Sequence, residues 1–162
     1  IRDTLSAFNK KMMHEKFNRA DRFFISMMHQ RSISLLRIAV GIVFLWFGAL
    51  KVTGTSPVVD LVTQTYSFLP AEPFLMVLGI WEMIIGIGLI FKIALRTTLA
   101  LLWIQMLGTF GASVLAPHLF FLGGNPLLLT VQGEFVVKNI VLITAGLVIG
   151  GYQVTPEEPS PA

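Results

Sequence analysis

The chain has 162 residues, of which 54% are hydrophobic and only 13% charged, with a net charge of +3 and no cysteine. Soluble domains carry about 25% charged residues, so this is the composition of a membrane protein, and its length suits one compact bundle without a separate catalytic domain. The lack of cysteine excludes disulfides, thiolate nucleophiles, iron–sulfur clusters and zinc–thiolate sites. The basic residues gather beside the first apolar run, as membrane orientation requires, which argues against nucleic acid as a partner.

Residues 1–32 read as an amphipathic helix on the cytoplasmic side. Leu5, Phe8, Met12, Ala20, Phe24 and Met28 recur at helical spacing with Phe17 nearby, while Lys10, Lys11, Arg19 and Arg22 occupy other faces. Such a helix can lie in the headgroup region with its basic side towards anionic lipid, or dock into the groove of a partner subunit. It is not a secretory signal, because the basic stretch is too long and no small-residue cleavage site follows a short apolar core. The chain begins at Ile1 without an initiator Met, so residues upstream of it are left open.

Residues 33–151 hold four apolar runs, 35–51, 74–91, 98–116 and 133–151, each near the roughly 20 residues that cross ~30 Å of hydrocarbon. They predict an all-α, integral membrane four-helix bundle. Arg37 and Lys51 lie near opposite ends of the first run, where long side chains can snorkel to either interface. Pro57, Pro70 and Pro73 punctuate the first connection, residues 92–96 form a short basic link, and Pro117 and Pro126 bracket the third connection.

Lysine and arginine set the orientation. Arg2, Lys10, Lys11, Lys16, Arg19, Arg22 and Arg31 precede the first run, and Lys92 and Arg96 join the second to the third, whereas 52–73 and 117–132 contain neither residue type. This bias predicts a multi-pass protein with both termini cytoplasmic. Residues 152–162, Pro-rich with Glu157 and Glu158, are expected to be a disordered tail.

Lipid gives apolar helices no reason to associate, so small residues that permit close backbone approach mark the contacts. These are Gly41 and Gly48, Gly79 and Gly86, Gly108 and Ala112, and Gly146 and Gly150, serving packing within the chain or contacts in a homo-oligomer.

The candidate ligand or proton pocket consists of Lys51, Glu82, Gln105, Glu134, Lys138 and Asn139. Ionised groups at bilayer depth are costly unless paired or facing a protected cavity, so Glu82 and Lys138 are expected to face the bundle interior. At 1.5 Å per residue Glu82 lies about 13 Å below Pro73 and Lys138 about 8 Å below Gly133, close enough in depth to meet. Glu134 precedes Lys138 at i, i+4 and offers it a second carboxylate. Gln105 and Asn139 either extend this network or hydrogen-bond between helices. The network is either a pair that fixes helix register or a polar pocket for a proton, a quinone headgroup or a small polar ligand.

No catalytic residue and no metal site is identified. His14, His29 and His118 lie outside the spans, which argues against transmembrane haem ligation. Trp46, Trp81 and Trp103 fall within the spans and are expected to pack. Residues 118–132 are too apolar for an ordinary exposed loop, and Gly123, Gly124, Asn125 and Pro126 would break a helix there. This segment either re-enters the outer leaflet as a hairpin above Lys138 or lies on the membrane surface.

The order LWFGALK (45–51), GIWEMIIGIGLI (79–90) and GEFVVKNIVL (133–142) resembles the DoxX-like superfamily, closest to its YkgB-like branch, over about residues 35–151. Asn139 stands where that family often has Asp. The resemblance implies a four-helix protein of the bacterial inner (plasma) membrane. It also implies kinship with small subunits of quinone-linked sulfur oxidation and with proteins associated with oxidant resistance. Two functions follow as expectations. One is an accessory or anchoring subunit of a redox or oxidant-defence assembly, its partners the bilayer and other membrane subunits. The other is a self-contained quinone-interacting oxidoreductase or small-solute carrier with Lys51, Glu82 and Lys138 at its site. No covalently bound cofactor is expected, and without cysteine or intramembrane histidine any electron carrier must come from outside.

Overall fold

A computed structural model describes residues 2–66 and 70–155, with side chains described from residue 18 onward except at residue 20. The elements in chain order are α1 (Arg2–Val52), α2 (Val59–Thr65), α3 (Ala71–Phe91), α4 (Leu95–Leu115), α5 (Pro117–Phe120), a 3-10 turn (Leu122–Gly124) and α6 (Val131–Gln153). Among the described residues there is no strand, and one isolated bridge joins Phe121 to Leu129. Among the described residues, four helices are long and apolar enough to cross a membrane: Asp21–Val52 within α1, then α3, α4 and α6. The expected amphipathic segment and first span fall within one helix, α1. The expected disordered tail lies largely outside the described residues.

The chain divides into two units, Ile1–Leu35 and Leu36–Ala162. In the first, Phe23, Phe24 and Met28 are exposed, the two Phe rings meet edge to face at 6.1 Å, and Arg22 Nε donates to the Asn18 carbonyl.

Within the second unit, local chemistry sets the helix ends. Pro70 caps α3, and Pro73 sits in its first turn, where a missing N–H is tolerated. Lys92 (φ 57) and Ala94 (φ 41) adopt left-handed conformations that reverse the chain between α3 and α4, while the Ile93 N–H reaches back to the Gly88 carbonyl. Thr130 caps α6, its Oγ1 accepting from the Gly133 N–H at 3.1 Å.

Helix α1 meets α3 glycine to glycine. A methyl group on Gly48 would lie 2.5 Å from the Gly79 carbonyl oxygen, and one on Gly86 would lie 2.7 Å from that of Gly41. Both contacts obey one antiparallel register, and each needs the absence of a side chain. Gly146 and Gly150 face Trp103 and Leu99 across the α4–α6 contact. Gly108 departs from expectation: nothing lies within 4 Å of the position its Cβ would take. Ala112, one turn on, is buried, in a cluster with Ala116, Phe120 and Val136. The main core joins all four spans through residues such as Phe44, Ile85, Leu102 and Ile149.

Arg37 does not snorkel outward. It is buried, and its Nη1 donates to the carbonyls of Leu89 and Ile90 at the C-terminal end of α3. Those carbonyls have no partner within their own helix and carry its negative dipole end, so a guanidinium satisfies them in both hydrogen bonding and charge. Arg96 Nη2 likewise donates to the Thr155 carbonyl, beyond the end of α6. Of the tryptophans, Trp81 is half-buried and donates to the Leu101 carbonyl at 3.4 Å, whereas Trp46 points outward at 65% exposure instead of packing.

The segment 118–132 folds as a hairpin. Leu122 N–H donates to the Leu128 carbonyl and Thr130 N–H to that of Phe120, Asn125 Oδ1 accepts from the Leu127 N–H, and Gly123 and Gly124 supply the positive φ the turn requires. Phe120 anchors its base, fully buried, while Leu122, Leu127 and Leu128 at the tip are exposed.

Candidate functional site

Three of the predicted polar residues converge. Lys51, in the last turn of α1, places its Nζ 2.6 Å from Glu82 Oε2 of α3, with side-chain exposures of 8% and 10%. Gln105, midway along α4, donates from Nε2 to Glu82 Oε1 at 3.0 Å. Both carboxylate oxygens are thus engaged, one by a charged donor and one by a neutral donor, and three spans are tied together through one side chain.

The glycine contact creates this geometry. Lys51 follows Gly48 by one turn and Glu82 follows Gly79 by one turn, so each lies on the face of its helix that meets the other. A methyl group on Gly79 would lie 2.9 Å from the Lys51 Cβ. Glycine at 79 is therefore what lets the lysine stem cross α3 towards Glu82. Charge-assisted bonds between helices in a water-poor interior are strong, and they also fix register, because a turn of slippage would leave a buried ion unpaired.

The other three predicted residues stand elsewhere. Lys138 does not meet Glu82: its Nζ lies 3.6 Å from Glu134 Oε2, the two side chains being 69% and 59% exposed, and 5.6 Å above the Phe135 ring. Asn139 is half-buried beside them. The six-residue constellation separates into an interior triad, an outward-facing pair on α6 and the half-buried Asn139 next to that pair, because α6 turns Val136 inward and Lys138 away. The hairpin tip does not enclose an interior lysine.

One contact was not anticipated. Tyr66, just beyond α2, donates from its hydroxyl to the Gly108 carbonyl at 3.1 Å and sets its ring 5.3 Å from that of Phe74. Burial holds its phenol above the ordinary tyrosine value. No spacing pattern in the sequence points to this contact.

An apolar hollow on α1 is lined by Ile42, Leu45, Trp46, Ala49, Leu50 and Thr53, and by none of the triad residues. Among the described residues no three of His, Cys, Asp and Glu gather in a way that could hold a metal ion.

Among the described residues, four helices of membrane-crossing length and apolarity agree with the sequence comparison. A family model described as DoxX matches residues 32–118, more than half of the chain. The chain belongs to the DoxX family. No curated protein and no solved structure matches it. Within this DoxX protein the matched region contains α1 from Ser32 onward, α3 and α4, and with them the whole triad. The Glu134–Lys138 pair lies beyond it. The DoxX chain is a multi-pass, all-α membrane protein.

Proposed function

We propose that this DoxX protein is a small accessory or anchoring subunit of a redox or oxidant-defence assembly in a bacterial inner membrane. The observation that carries the reading is the division of its polar groups. Inside the bundle, Lys51, Glu82 and Gln105 are committed to one another. Outside it, Glu134 and Lys138 stand on the outward face of a membrane-crossing helix. Ionisable residues within spans are rarely left towards acyl chains, so an outward pair supports a face covered by protein. The redox context and the closer kinship with the YkgB-like branch rest on the sequence resemblance, and fold-level kinship by itself does not specify an activity.

The alternative of a self-contained quinone-interacting oxidoreductase or solute carrier has less support. Lys51 and Gln105 are the donors that a quinone carbonyl would need at the triad, and both already donate to Glu82. The triad as it stands does not fit a quinone headgroup.

Purification from native membranes in mild detergent tests the proposal. Stoichiometric partner chains support it. A monodisperse solitary chain, with quinone recovered by extraction and mass spectrometry, overturns it in favour of the alternative.

A further inference from the structure

The outward face of α6 allows the covering partner to be specified, on the reading that this face is covered by protein. Lys138 lies seven residues into α6, about 10 Å along the helix axis from Val131. Val137, Val141, Thr144, Val148 and Gly151 are all exposed on the same helix. They recur at alternating intervals of four and three, the narrow seam by which two membrane helices pack along each other. Gly151 has nothing within 4 Å of the position its Cβ would take. Glu134 continues the same spacing one turn before Val137, and Lys138 flanks the seam beside Val137, opposite in charge to Glu134 and one turn from it.

We infer that this face pairs with the same face of a second copy of the chain, two α6 helices running parallel about a twofold axis normal to the membrane. A twofold interface must be complementary to itself, and a face bearing one acid and one base a turn apart meets that condition without any other chain. At interaxial distances of about 8–10 Å, each Lys138 reaches the partner copy's glutamate at this position as well as its own. The four charges then neutralise one another, shielded from lipid by the two helices. A partner bearing only one sign of charge would leave half of the pair unmatched.

The cysteine-free sequence makes the test direct. Val141→Cys is introduced into the full chain, oxidised in membranes and compared with Leu107→Cys on the exposed face of α4. The expected result is a disulfide-linked homodimer from Val141→Cys and little from Leu107→Cys. In the Val141→Cys background, Glu134→Lys or Lys138→Glu alone should lower the yield about fivefold, and the double exchange should restore it. Because both charges are exposed, unchanged thermal unfolding in detergent verifies that each variant is folded. Cross-linking of Val141→Cys to a different chain would overturn the self-pairing while leaving the subunit reading intact. No cross-link to any chain would overturn both, and equal yields at positions 141 and 107 would reduce the contact to random collision and overturn the self-pairing.

Discussion

Lys51 and Glu82 are held 2.6 Å apart by a backbone contact one turn away, where Gly48 and Gly79 bring α1 and α3 together. The ion pair therefore depends on two residues that have no side chains of their own. Removing either charged partner leaves the other buried without compensation, whereas removing both leaves an apolar gap.

Glu82→Ala should lower stability by about 3–5 kcal/mol, because Lys51 loses its counter-ion in the interior. The double variant Lys51→Met, Glu82→Met should recover much of that loss. Thermal unfolding in a fixed detergent reads both, and a double variant no more stable than Glu82→Ala would contradict the uncompensated charge as the cause.

The glycines divide by position. Gly79→Val should force α1 and α3 apart at a cost of about 1–3 kcal/mol, since its added atoms meet the Gly48 carbonyl and the Lys51 stem. Gly108→Ala meets open space and should stabilise the helix by up to about 1 kcal/mol through higher helix propensity. Equal unfolding temperatures for the two would refute the contact.

Glu134→Gln combined with Lys138→Met should change the unfolding of the detergent-solubilised monomer by no more than about 0.5 kcal/mol, the usual worth of an exposed i, i+4 pair. A loss comparable to that of Glu82→Ala would mean that the pair is buried within the chain.

Tyr66 gives a prediction in pH. Its phenol is raised above the ordinary value by burial, so the folded chain holds that proton more tightly than the unfolded chain. The resulting stability is fully present below the unfolded tyrosine value and is lost as pH rises through the folded one. Alkaline unfolding should accordingly be less steep in Tyr66→Phe than in the parent, as followed by circular dichroism. An unchanged slope would remove Tyr66 as a contributor.

Gly41, Gly48, Gly79 and Gly86 were readable as contact points because small residues are what lipid-embedded helices need in order to approach, whereas the pairing of Gly41 with Gly86 and of Gly48 with Gly79 came from the structure. Gly108 carried the same signal and faces open space, since spacing alone does not say which side of a helix is turned inward. Lys51 was read both as a candidate pocket residue and as a side chain reaching for the interface. Its position in the last helical turn permits either, and only the α1–α3 contact directs it to Glu82.

The sequence by itself determined membrane residence and the four spans, because those follow from apolar runs measured against bilayer thickness. It also named the polar residues that interrupt those runs, since an ionisable side chain stands out in an apolar stretch. Which charges face one another was decided only by the tertiary structure. Depth gives no azimuth, and the rotation of each helix about its axis is set by contacts between helices. That rotation brought Lys51 and Gln105 to Glu82 and turned Lys138 outward.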